Sequence, residues 1–212
     1  MSAVSVTRLS HKPVSRHNRW CNHGLKRGGY MHADDGATDS GSAAAQSGGA
    51  PLAPLPQGRF AGREAFQQMV RDALATAAAE GWRELILSDA SFEDWPLRER
   101  VVVESLRAWS KTGRRMILLA ARYDEILLSQ PRFVNWRRTW GHIIECRACR
   151  AADPLDFPSA IWSPAWVMQR LELQHSAGVC GHEAERRIRL REVLDEYIRN
   201  SSPGFPSSTL GL

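Results

Sequence analysis

The sequence predicts an α/β domain: a short, mostly parallel sheet flanked by helices, with an antiparallel hairpin extension and a C-terminal amphipathic helix. Three observations carry this expectation. Short apolar runs at Glu84–Asp89 and Arg115–Ala120 have the length and near-continuous apolar character of strands buried on both faces. Around them, apolar residues recur at the three-to-four spacing of amphipathic helices. The chain has 212 residues, 43% of them hydrophobic, enough to bury a core once the flanks are set aside.

Order is expected from Gly58. Phe66, Met69, Val70, Leu74 and Ala77 or Ala78 fall at helical spacing, and Gly81 stands where such a helix would end. Trp82 leads into the strand Glu84–Asp89, with Asp89 at its carboxyl end. Phe92 and Trp95-Pro96 form a connection, Pro96 being expected near the first turn of the next helix. That helix carries Val102, Val103, Leu106 and Trp109 on its apolar side and stops around Lys111-Thr112-Gly113. Arg115–Ala120 is the second buried strand. Tyr123, Ile126 and Leu127 then line a short helix ended by Pro131, and His142–Arg147 alternates as a third strand should. Strands alternating with helices indicate parallel pairing through crossovers.

The pattern changes after Cys149. Asp153–Pro158 is a loop, and Ala160–Trp162, Trp166–Leu173 and Ser176–Cys180 are antiparallel strands with a turn between His175 and Gly178. Glu183–Ile198 is a charged helix whose apolar stripe is Ile188, Leu190, Val193, Leu194 and Tyr197. Residues 58–200 thus form the domain. Residues 201–212 form an extended tail in which Phe205, Leu210 and Leu212 are available to dock.

Residues 1–57 read as a disordered tail. Asp34 to Pro56 is Gly, Ala, Ser, Asp and Pro with little to bury, and Ala50–Pro56 is a stiff Pro-rich spacer. The formal charge of +5 resolves into unequal parts: residues 1–33 hold six basic residues and no acid, while 22 basic and 23 acidic residues follow, a net −1. Bulk charge is therefore no argument for nucleic-acid binding by the globular part. The Arg-rich, acid-free start has the composition of an organelle transit peptide, but Pro13, Gly24, Gly28 and Gly29 break any amphipathic helix; a start at Met31 is the other reading. There is no apolar run of roughly 18 residues and no secretory apolar core, so the expected compartment is the cytoplasm.

The densest stretch of chemistry is Pro131–His142. Read as a helix, it sets Phe133, Trp136 and Trp140 on one face and turns Arg137 and Arg138 elsewhere. Arg132, Arg137 and Arg138, with Arg122, Arg147 and Arg150 nearby in sequence and Trp136 for stacking, make a candidate site for phosphate or another anion. The structural alternative is an amphipathic helix with a tryptophan core face and a solvated arginine face.

Two further sets of residues have spacing that suits chemistry. Cys146-x-x-Cys149, with Cys180 and His182, supplies three thiols and an imidazole, a tetrahedral Zn²⁺ set if the two segments meet. Otherwise the cysteines are small hydrophobes. Asp89 beyond a strand's carboxyl end and His142 at the start of another would serve as acid and base if brought within hydrogen-bond reach. The alternatives are a turn or cap for Asp89 and a satisfied histidine beside Trp140. No nucleophile elbow, phosphate-cradling loop or dinucleotide fingerprint accompanies them.

In its order of elements, and in the close at Leu194-Asp195-Glu196-Tyr197 before Ser201, residues 60–200 resemble one half of the phospholipase D-like fold. The likeness is to degenerate single-half bacterial members. That family's chemistry needs His-x-Lys-x4-Asp. The lysines here are Lys12, Lys26 and Lys111, none two residues after a histidine, so no catalytic residue carries over. The expected function is a non-catalytic binding or scaffold module for an anionic, phosphate-bearing partner, nucleic acid or protein. The alternative is a phosphoester hydrolase or transferase using His142 and Asp89. No cofactor is expected unless the cysteines hold Zn²⁺.

Overall fold

The computed structural model describes residues 52–205. Of the expected disordered tail 1–57 and its spacer Ala50–Pro56, residues 1–51 lie outside the described residues, as do the Met31 start, Leu210 and Leu212; residues 52–57 are described, and Leu55 is buried in the core.

Leu55 is buried, the Pro56 carbonyl accepts from the Trp166 indole N–H (3.0 Å), and β1 (Gly58–Phe60) follows. α1 (Arg63–Glu80) forms because Phe66, Met69, Val70, Ala73, Leu74 and Ala77 repeat on one face, which is the face it buries. Each large apolar side chain among them contributes about 1.5–3 kcal/mol on burial. Gly81 ends the helix in the left-handed conformation (φ 68°), as its sequence position predicts.

Next come β2 (Glu84–Asp89), α2 (Arg100–Ser110) and β3 (Arg115–Ala120), followed by α3 (Asp124–Ser129), α4 (Pro131–Thr139) and β4 (Ile144–Ala148). β2, β3 and β4 are parallel, and their carboxyl ends Asp89, Ala120 and Ala148 lie level. β5 (Ser159–Trp162), β6 (Val167–Glu172) and β7 (Ala177–Gly181) form an antiparallel meander, α5 (Ala184–Arg199) follows, and β8 (Ser202–Pro203) closes on β4. The strand order is β1-β7-β6-β5-β2-β3-β4-β8. One face of the sheet is covered by α1, α2 and α4, through residues such as Phe66, Trp109, Phe133 and Trp136. On the other, Leu190 and Leu194 of α5 meet Ile86, Ile117, Leu119 and Val167.

The expected mostly parallel sheet is corrected to a mixed one, in which two pairings are parallel and five antiparallel. The physical reason is the segment between β4 and β5. It contains no crossover helix, and parallel neighbours need one; β5 instead returns antiparallel beside β2. The third strand begins at Ile144 rather than His142, which sits exposed in the preceding turn. Pro96 lies ahead of α2 in its own turn, its carbonyl accepting from the Glu99 N–H (3.0 Å). The β6–β7 turn is Leu173–Ser176, with Ser176 at φ 47°, and Gly178 is inside β7. A Cβ there would fall 2.2 Å from the Gln169 carbonyl oxygen, so close strand approach is what requires glycine. In α5 the buried stripe is narrower than expected: Ile188 and Val193 are exposed. Leu127 of α3 is also half exposed. Phe205 docks as expected, buried against Tyr123.

Candidate anion-binding surface

α4 separates the residues that its sequence clusters. Proline at its first position pre-sets φ and gives up an N–H that would have no partner there. The helix then turns Phe133 and Trp136 into the core. The Trp136 indole N–H donates to the Ser110 hydroxyl at 3.0 Å, so this tryptophan anchors α4 to α2 and is closed to any base or ligand. Trp140, half-buried, caps the helix, and His142 lies over it with ring centroids 5.8 Å apart.

The three arginines do not converge. Arg137 is buried, donating from Nε to Cys146 Sγ (3.1 Å) and from Nη2 to the Phe205 carbonyl (3.3 Å). Arg132 and Arg138 are exposed. Of the arginines proposed to extend the cluster, Arg147 is committed to the end of α5, bonding Ser201 and the Ile198 carbonyl. Arg122 and Arg150 follow the carboxyl ends of β3 and β4 and are exposed.

A different grouping takes their place. α2 and α4 pack against each other, and Arg132 Nη1 donates to the Arg98 carbonyl at 3.3 Å, which brings the starts of the two helices together. Neither first turn contains an acidic residue. Glu99, the cap residue of α2, turns its carboxylate to Arg71 (2.7 and 2.9 Å), and this bond holds Glu99 below the usual carboxylate range. Arg98 and Arg132 make no ion pair among the described residues. Arg107 and Lys111 at the far end of α2 and Arg138 at the end of α4 continue the exposed basic surface. Helix dipoles account for those three, since cations are favourable at carboxyl ends. They do not account for Arg98 and Arg132, which stand at the positive ends, where a cation is disfavoured by about 0.3–1 kcal/mol.

Asp89 occupies a different kind of place. It ends β2, and its Oδ1 accepts the N–H groups of Ser91 (3.1 Å) and Phe92 (2.8 Å), a turn that holds Phe92 at φ 61°. Its Oδ2 accepts from Arg170 Nη2 at 2.9 Å, and both side chains are buried. Arg170 also donates from Nη1 to Asp94 (2.9 Å) and from Nε to Ser159 (3.1 Å), while its guanidinium covers the Phe66 ring at 4.4 Å. A small concavity of about 220 Å³ borders this network, lined by Asp89, Asp94, Ser159 and Arg170 themselves together with Ser91 and Leu155. Every polar group of Arg170 is occupied, which makes this a structural knot. The sequence contained a signal for it: Arg170 follows Met168 by two in a strand, so an arginine points to the face on which a methionine is core.

The proposed Asp89–His142 pairing is not formed. Ile144 is level with Leu85, and Asp89 lies four residues further along β2, about 13 Å away along the strand direction. His142 is on the other side of Ile144, towards the opposite end of the sheet. The Zn²⁺ set is dispersed as well. Cys146 is on β4 and Cys180 on β7, five strands apart, about 24 Å. Cys146 and Cys149 belong to the cores on opposite sides of the sheet. His182 is exposed and faces the Ala165 carbonyl. Among the described residues, no group of three metal-ligating side chains is present. Burial pushes all three thiols above their ordinary value. No helix among the described residues is long and apolar enough to cross a membrane.

No protein-family model matches this chain, and no curated protein matches it. Among solved structures it is similar to TrmBL2, an archaeal chromatin protein whose structure is described as showing a novel mode of DNA binding; the TM-score is 0.54 at 14% identity. The match covers 72% of this chain and 55% of that one, so the chain spans about half the length of TrmBL2, and the likeness is one of fold.

Proposed function

We propose that this protein is a non-catalytic binding module that holds a nucleic acid against the outer surface of α2 and α4. The observation that carries the reading is the pair Arg98 and Arg132. Each is an exposed cation in no ion pair among the described residues, beside a helix start that itself favours an anion; Arg98 also lies near the Glu99 carboxylate, which Arg71 already holds. A phosphate there would satisfy both guanidiniums and both helix ends at once. Arg107, Lys111 and Arg138 extend the surface along the helix pair, which suits a polymer of phosphates better than a single small anion. The six basic residues within 1–33 add charge of the same sign. The DNA binding described for TrmBL2 agrees with this reading.

The phospholipase D-like reading of the architecture belongs to the same proposal. With no His-x-Lys-x4-Asp motif, such a half-domain would retain phosphate recognition without hydrolysis. The separation of His142 from Asp89 favours binding over the phosphoesterase alternative.

Fluorescence anisotropy with labelled single-stranded and duplex DNA, across a salt series, tests the proposal. Affinity should fall linearly with salt on logarithmic axes, and Arg98→Ala with Arg132→Ala should flatten that slope by about one for each lost phosphate contact. Binding that is absent at low salt, or unchanged in the double variant, refutes it.

A further inference from the structure

Arg137 is 5% exposed, yet it makes no ion pair among the described residues. Its shortest contact is a thiol, through the 3.1 Å bond from Nε to Cys146 Sγ, and Nη1 is buried with no hydrogen-bond partner among the described residues. A neutral thiol is a weak acceptor, so this guanidinium is poorly compensated while the sulfur stays protonated.

The pair is covered by the segment that follows α5. β8 pairs with β4 over only two positions, Arg147 with Pro203 and Ala148 with Ser202. The Gly204 N–H then donates to the Cys146 carbonyl (2.9 Å). Phe205 lays its ring 5.6 Å from Tyr123 and 5.5 Å from the Arg137 guanidinium, and its carbonyl takes Nη2. This strap lies on the edge of the sheet, where Arg147 also holds its first residue by donating to the Ser201 hydroxyl (2.8 Å) and carbonyl (2.7 Å).

We propose that Cys146 is a gated reactive thiol: Arg137 activates it, the strap Ser201–Phe205 seals it, and lifting the strap opens it to small electrophiles, of which hydroperoxides are the physiological class. With the strap closed, burial pushes the thiol up against the pull of Arg137. With the strap lifted, water reaches the sulfur, the burial penalty falls and the guanidinium remains beside it, which favours the thiolate. The other groups facing it are Tyr123, itself pushed well up by burial and therefore neutral, and Glu145, which opposes ionisation. The thiolate attacks the distal oxygen of the hydroperoxide, so the S–O bond forms as the O–O bond breaks. The leaving alkoxide takes a proton from water, and the product is a sulfenic acid, with sulfur oxidised by two electrons.

The other two buried cysteines lack this arrangement. Cys149 donates to the Tyr197 carbonyl (3.2 Å) and Cys180 to the Pro56 carbonyl (3.4 Å); neither is bonded to a guanidinium. They serve as references within the same molecule.

The test is peptide-resolved alkylation of the full chain by iodoacetamide as a function of pH, with two variants that lift the strap independently. Phe205→Ala removes its ring. Gly204→Ala introduces a Cβ 2.5 Å from the Tyr123 ring and 3.0 Å from Ala148 Cβ, a clash that pushes the strap and the Tyr123 ring apart. In either variant, Cys146 should alkylate at neutral pH about tenfold faster than in the wild type, while Cys149 and Cys180 keep their rates. Its rate should also titrate about one unit or more below theirs. Adding Arg137→Gln should abolish the shift, and Arg137→Lys should retain it. If the Gln variant does not fold, the titration of Cys146 against Cys149 in Gly204→Ala decides alone. A Cys146 that reacts no faster than its references once the strap is lifted, or that titrates with them, overturns the proposal.

Discussion

Arg170 and Arg132 are the same residue type in two opposite situations. Arg170 lies in β6 with Asp89, Asp94 and Ser159 around it and the Phe66 ring beneath, so its fork is filled and its charge neutralised within the fold. Arg132 stands at the start of α4, exposed, with a backbone carbonyl as its recorded acceptor. Arg98 stands beside it in no ion pair among the described residues, its acidic neighbour Glu99 being held by Arg71. The lesson is that arginine content is a poor guide to a binding surface. What matters is which guanidiniums the fold leaves unneutralised, and where. A filled arginine stabilises the fold. An unfilled one at a positive helix end costs stability, and an anionic ligand can recover that cost.

The contrast is most sharply tested at the filled site. Asp89→Ala leaves the buried Arg170 with one of its two carboxylates and removes the acceptor of the Ser91 and Phe92 N–H groups. Equilibrium denaturation in urea should show a loss of about 3–5 kcal/mol. Replacing Asp89 and Arg170 together by apolar residues should cost much less than the sum of the single changes. A single-variant loss below about 1 kcal/mol would mean that the network is as replaceable as a surface pair.

The open surface should respond in the opposite sense. Arg98→Ala, Arg132→Ala and Arg138→Ala should each leave stability within about 0.5 kcal/mol of the wild type while weakening DNA binding and its salt dependence. Arg137→Ala, though adjacent in sequence, should do the reverse, lowering the melting temperature with little effect on the salt slope. If Arg137 and Arg138 variants behave alike, the division between buried and exposed arginines is wrong.

The smallest effect concerns the pair that takes Glu99 away from α2. Because Arg71 holds Glu99 below its ordinary value, the pair contributes above the unfolded carboxyl range, and its contribution fades as pH falls through the lowered folded value. Both side chains are partly exposed, so the effect is under about 1 kcal/mol. Glu99→Gln should shallow the acid limb of a stability–pH curve by that amount and leave the neutral plateau's slope unchanged. An acid limb that steepens instead would reverse the assigned sign.

Much of the fold was legible beforehand. The strands at 84–89 and 115–120 and the end of α1 at Gly81 follow from short apolar runs and a glycine stop, which are local signals. The arrangement of β5–β7 as a meander was also legible, because strands separated by short turns can only pair antiparallel. Less of the candidate site could be read. Arg132 and Arg138 stand out in the sequence, but Arg98, whose carbonyl Arg132 reaches, sits 34 residues upstream of Arg132. Arg137 looked like its neighbours because helical phase alone does not say how wide the buried arc is. The cysteine set failed for a related reason: spacing in sequence says nothing of how many strands lie between β4 and β7.

What the sequence by itself determined is therefore the identity of the elements and the sign of the charge on each segment, since both depend on residues close together along the chain. Tertiary structure alone decided which charges are neutralised. It carried Arg170 from β6 to Asp89 at the end of β2, 81 residues away. It put Arg137 under the strap and brought the bare starts of α2 and α4 side by side. Neutralisation depends on distances of a few ångströms between groups far apart in the chain, and those distances exist only once the sheet has its order.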